Sequence, residues 1–76
     1  MGFNQKRELG ELPGKIEALE AERERLFALL GSPSFYATRS EEVGRTKERL
    51  AELEREIHEA YARWVELDGM MTRGSE

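Results

Sequence analysis

Two stretches of this chain repeat apolar residues at alternating steps of three and four, and that spacing leaves little freedom of fold. The first stripe is Leu9, Leu12, Ile16, Leu19, Arg23, Leu26 and Leu30, with one polar member. The second is Val43, Thr46, Leu50, Leu53, Ile57, Ala60, Trp64, Leu67 and Met71. Steps of three and four place a stripe along one side of an α-helix in heptad fashion, whereas a strand needs a period of two. Both stretches are predicted to be helices, and the fold class is all-α.

The segment between the stripes is dense in turn chemistry. Gly31 follows the last apolar residue of the first stripe, a position where helices commonly end in a left-handed conformation. Ser32 and Pro33 read as an N-cap and a first helical residue, which predicts one short helical turn over 33–37. Ser40 reads as the cap of the second helix, with Glu41 and Glu42 against the positive end of its dipole. Pro13, flanked by Gly10 and Gly14, interrupts the first stripe, because a proline removes a helical hydrogen bond and crowds the preceding turn. The expected division is a short leading helix over 4–12, helix one over 13–30, a loop over 31–40, helix two over 41–69, and a frayed tail over 70–76.

A short, capped connection favours antiparallel neighbours in one molecule over association between molecules. Pairing residues whose numbers total 76 sets every stripe member of one helix opposite one of the other. Leu30 then meets Thr46, Leu26 meets Leu50, Arg23 meets Leu53, and Leu19 meets Ile57. Ile16 meets Ala60, Leu12 meets Trp64, and Leu9 meets Leu67. The reading is a monomeric two-helix antiparallel intramolecular coiled-coil hairpin, about 40 Å long at 1.5 Å per residue. Phe27, Phe35, Tyr36 and Val43 are expected to cap the core at the turn, and Phe3 to do so beside Met70 and Met71 at the open end.

Composition excludes several kinds of chemistry. The 76 residues hold no cysteine, so neither disulfides nor thiolate metal sites are available. No run approaches the roughly 20 apolar residues of a membrane span. No phosphate-binding glycine pattern is present. His58, the single histidine, sits at an outward heptad position without a second ligand or nucleophile beside it, and reads as a solvated imidazole rather than a metal ligand or proton shuttle. The glutamates fall mostly on outward positions among Arg and Lys, which describes a solvated, salt-bridged face. Catalytic, cofactor and metal residues are therefore assigned to none.

Arg23 on the apolar stripe has two readings. It reads a phosphate or carboxylate of a partner, or its stem packs on Leu53 while its head reaches Glu52 or Glu56. The second is favoured. Trp64 reads as core, with an interaction anchor as the other option.

Charge is uneven along the chain. Residues 50–76 carry three basic and seven acidic side chains, while residues 22–49 carry six basic and five acidic. The region around the turn is thus the least acidic part of a chain with net charge −4. Arg45 and Arg49 lie one helical turn apart and share a face. With Arg39 and Lys47 they are candidates to contact a few phosphates. A pI near 5.1 predicts weak non-specific binding that salt abolishes.

The motifs, taken together, carry a resemblance. Lys6-Arg7-Glu8-Leu9-Gly10-Glu11-Leu12-Pro13-Gly14-Lys15-Ile16-Glu17-Ala18-Leu19-Glu20, the turn Ser34-Phe35-Tyr36 and the closing Tyr61-Ala62-Arg63-Trp64-Val65-Glu66-Leu67 resemble the C-terminal domain of Uup-like ABC-F ATPases. The match runs in order over nearly the whole chain, although Gly10 and Gly14 stand where the family usually has helix formers and Gly44 weakens the start of helix two. The resemblance implies a cytoplasmic parent protein with two upstream ATP-binding cassettes and no membrane domain. It implies that ATP and Mg belong to those cassettes and that this chain holds no cofactor and performs no catalysis. It further implies a coiled-coil hairpin contributing to nucleic-acid binding, to DNA or ribosomal RNA. The candidate contact residues are Lys6, Arg7, Lys15, Arg39, Arg45, Lys47 and Arg49. The other function class is a protein-interaction or spacer coiled coil, which positions the cassettes or docks on ribosomal protein.

Overall fold

Both stripes fold as helices in the computed structural model, which describes residues 2–74. Helix α1 is Phe3–Leu30, α2 is Pro33–Thr38 and α3 is Ser40–Gly74. Helices α1 and α3 pack along each other, α2 sits at the turn, and the molecule is a rod of 58 × 16 × 15 Å. The all-α antiparallel hairpin read from the stripes is the architecture observed.

Two ion pairs report the register directly. Arg49 of α3 binds Glu22 of α1, and Arg63 of α3 binds Glu8 of α1. Moving from the first pair to the second goes back fourteen residues on α1 and forward fourteen on α3, two heptads on each. Constant spacing in opposite directions is what an antiparallel coiled coil requires. Between and beyond these pairs, Leu12, Ile16, Ala60 and Leu67 form a buried cluster with Leu9 and Met70 packed against it. Leu53 and Leu67 are fully buried, and Ile57 and Phe35 nearly so. Each such side chain stabilises the rod by roughly 1.5–3 kcal/mol.

The break expected at Pro13 is not there: α1 runs through it from Phe3 to Leu30. Pro13 has no N–H to give the Leu9 carbonyl, yet Leu9 and Leu12 on one side and Ile16 on the other enter the same cluster. Packing on both sides holds one helical phase across the missing bond. Helix α3 likewise continues past Gly69 to Gly74, so 70–74 are helical rather than frayed, while 75 and 76 lie outside the described residues. These two continuations make the rod longer than the expected 40 Å.

The turn is tighter than its sequence suggests. Gly31 is right-handed, with φ −82° and ψ −5°, instead of left-handed. The Gly31 N–H reaches the Phe27 carbonyl at 2.9 Å and the Ser32 N–H reaches the Leu29 carbonyl at 3.1 Å, which closes α1 without a left-handed residue. Ser32 is extended before Pro33, and its hydroxyl lies 2.9 Å from that of Ser34. Ser40, expected as a cap, is already the first residue of α3. Arg39 serves both helices: its N–H donates to Phe35 and its carbonyl accepts from Glu42, each at 2.9 Å.

The ends of the core also differ from the expected pattern. Phe35 is buried at the turn and meets Tyr36 edge-on at 6.4 Å, but Phe27 and Tyr36 are exposed. Phe3 is 79% exposed, because at 3.6 residues per turn it points away from the side carrying Leu9, Leu12 and Ile16. Trp64, expected opposite Leu12 in the seam, remains 38% exposed, and Met71 is exposed while Met70 packs inward. The indole instead borders an open groove beside Pro13, and Met70 packs against the buried cluster.

Candidate nucleic-acid interface

The seven candidate cations divide by what holds them. Arg49 is fully engaged. Its Nε and Nη2 donate to the two oxygens of Glu22 at 2.8 and 3.0 Å, and its Nη1 donates to Glu52 at 3.1 Å and Glu56 at 3.3 Å. Four of its five N–H vectors are thus spent on the hairpin itself. Arg39 donates to Glu42 at 3.2 Å, and Arg7 to Glu11 at 3.2 Å. Both latter pairs are well exposed, so water and salt compete for them easily.

Lys6, Lys15, Arg45 and Lys47 make no ion pair among the described residues. Lys15 lies close enough to Glu8 to help draw its carboxyl below the usual range, behind the larger effect of the Arg63 hydrogen bond. The four do not form one surface. Lys6 and Lys15 belong to the open end of a 58 Å rod, whereas Arg45 and Lys47 lie near the turn. Arg45 and Lys47 are two positions apart, which on a helix sets them on different sides. The shared face expected for Arg45 and Arg49 is present as helix geometry, but Arg49 is turned to its carboxylates.

Three features escaped the sequence reading. Arg25 and Arg55 make no ion pair among the described residues, and Arg25 borders a depression near the turn with Leu26, Leu29 and Ser32. Arg63, inside the closing motif, is the third. It donates to Glu8 at 2.8 and 3.0 Å and lies 3.2 Å from Glu66. The common spacing of fourteen in Glu8/Glu22 and Arg49/Arg63 was the signal that would have found it. These bonds hold the Glu8 and Glu22 carboxyls below their ordinary range and the Arg49 and Arg63 guanidinium groups above theirs.

Arg23 follows neither sequence option in full. Its head lies 3.8 Å from Glu20 and 3.8 Å from Glu54, rather than reaching Glu52 or Glu56, and its Nε is buried without a hydrogen-bond partner. The stripe position forces the stem between the helices, and there only long contacts remain. His58 is exposed, and among the described residues no group of three or more His, Asp and Glu is placed to hold a metal. Among those residues, no helix is long and apolar enough to cross a membrane.

The described residues thus present a helical arm with paired and unpaired cations, and comparison with known proteins identifies its family. The family model described as "ABC transporter C-terminal domain" matches residues 1–68. The chain is 30% identical to the ATP-binding protein Uup of Escherichia coli (strain K12) over 74 residues. That alignment takes in 97% of this chain and 12% of the relative's length. No solved structure matches it. The resemblance to Uup-like ABC-F proteins read from the motifs is borne out, and the ATP-binding cassette of such proteins is not in this chain. The chain belongs to the ABC transporter C-terminal domain family.

Proposed function

We propose that this hairpin is a non-catalytic accessory arm of a cytoplasmic ABC-F ATP-binding protein and contributes to nucleic-acid binding, to DNA or ribosomal RNA. ATP and Mg would be held by upstream cassettes of the parent protein. The observation that carries the reading is the set of cations around the turn that make no ion pair among the described residues, Arg25, Arg45 and Lys47, in the least acidic third of the chain. Three free cations contact phosphates without sequence preference, so binding is weak and falls steeply with salt. Lys6 and Lys15 add a second contact point at the open end, while Arg7 and Arg39 join only by leaving their exposed carboxylates. Arg49 belongs to the hairpin staple.

Titration of the 76-residue chain with labelled duplex DNA and with ribosomal RNA at low salt tests this. Neutralising Arg25, Arg45 and Lys47 to Gln is expected to remove most of the affinity and to flatten the salt dependence. Unchanged binding in that variant would sink the reading.

A second reading is a spacer that positions the cassettes, acting as a monomer. It rests on the two bidentate ion pairs, which keep a 58 Å rod in one register. It requires that the turn cations be dispensable while removal of one heptad from each helix changes coupling in the parent protein.

A further inference from the structure

A separate feature lies between Pro13 and Trp64. Pro13, Ile16, Glu17 and Glu20 of α1 and Tyr61 and Trp64 of α3 line an open groove on one flank of the rod. Trp64 and Tyr61 are 38% and 42% exposed, whereas Leu53, Ile57, Ala60 and Leu67 of the same helix are buried. The rim is acidic. Glu20 accepts from the Tyr61 hydroxyl at 3.3 Å and lies 3.8 Å from Arg23, but Glu17 makes no ion pair among the described residues. Asp68 follows Trp64 by one helical turn on the same side of α3.

We propose that this groove binds an arginine-bearing basic peptide segment of a partner protein, with a guanidinium stacked on the Trp64 indole and paired to Glu17. An electron-rich ring face and a carboxylate within one groove together match a planar cation. Phosphate backbones are repelled by Glu17 and Glu20, so this is not part of the nucleic-acid surface. A purely apolar segment would strip water from Glu17 and return no hydrogen bond. Arginine is preferred over lysine because its flat, weakly hydrated head stacks and bonds at once, whereas an ammonium is a compact, strongly hydrated point charge.

Trp64 is the single tryptophan, so its fluorescence reports the groove alone. The test titrates the 76-residue chain at low salt with acetylated, amidated tetra-arginine and tetra-lysine peptides. Saturable change with tetra-arginine is expected, about five-fold tighter than with tetra-lysine. The Glu17→Gln/Glu20→Gln variant is expected to bind about five-fold more weakly. A Glu48→Gln/Glu59→Gln variant, equal in net charge but away from the groove, is expected to stay within about two-fold of the parent. Amide shifts of the unaltered chain should concentrate at 13–20 and 61–68. Equal affinity for the two peptides, equal weakening in the two variants, shifts spread along the rod, or no saturable change would each overturn the proposal.

Discussion

Arg49 and Glu22, 27 residues apart in the chain, meet through two parallel hydrogen bonds of 2.8 and 3.0 Å across the helix interface. The pair sits on the flank of the seam, and the Arg63–Glu8 pair repeats it two heptads further along. Arg49 is therefore engaged within the hairpin itself. Glu22→Gln should lower the melting temperature by a few degrees, because Arg49 then keeps only its two same-helix carboxylates. The same change should raise affinity for duplex DNA at low salt, since it releases a cation and removes an acid. Arg49→Gln should also melt earlier but leave DNA affinity nearly unchanged. A loss of DNA binding in Arg49→Gln as large as in Arg45→Gln would return Arg49 to the contact surface.

Acid should loosen the hairpin in a defined window. The Glu8 and Glu22 carboxyls lie below the ordinary carboxylate range because Arg63 and Arg49 hydrogen-bond to their charged forms. A carboxylate with a lowered folded value contributes stability above its unfolded value and loses it as pH falls through the folded one. Melting temperature should hold between about pH 6 and 8 and drop below about pH 4.5. A Glu8→Gln/Glu22→Gln chain should be less stable at neutral pH and show a shallower drop. Thermal melts by circular dichroism across pH check both.

Arg23 should be replaceable at a gain. Its Nε is buried without a partner and its two ion pairs are long, at 3.8 Å each. Arg23→Met keeps the packing stem and removes the unsatisfied Nε–H. Stabilisation by roughly 1–2 kcal/mol is expected in denaturant melts. Destabilisation would show that Glu20 and Glu54 hold the head more firmly than the distances indicate.

Gly10, Gly14 and Gly44 lie inside helices, and a Cβ added at any of them meets nothing within 4 Å. Alanine at each should stabilise by about 0.5–1 kcal/mol, chiefly by limiting the unfolded chain. Gly31→Ala should be tolerated too, because Gly31 is right-handed and the new methyl would lie 3.4 Å from the Phe27 carbonyl oxygen. Chemical melts of the single variants measure this, and a loss of several kcal/mol at Gly31 would contradict the turn geometry described here.

The fold was legible because steps of three and four imprint a helix face directly on the sequence, and because Gly31, Ser32 and Pro33 punctuate the bend. The pairing of the two long helices was legible from the matching stripes. Pro13 misled because its local penalty is plain in sequence, while the packing of Leu9, Leu12 and Ile16 into one cluster that offsets it is not. Trp64 and Met71 fit the stripe by number, yet both are exposed in the folded hairpin. The cations were visible as a list, yet which of them are spent depends on flank pairs such as Glu22–Arg49 that join residues on separate helices.

Since the chain has no native cysteine, spin labels on Lys15→Cys and Glu59→Cys report the helix pairing most directly. Lys15 and Glu59 line the same cleft beside Ala60. A label distance below roughly 20 Å is expected from helix axes 8–10 Å apart, unchanged when labelled chain is diluted with excess unlabelled chain. A short distance that vanishes on dilution would mean the helices pair between molecules, and would contradict the hairpin.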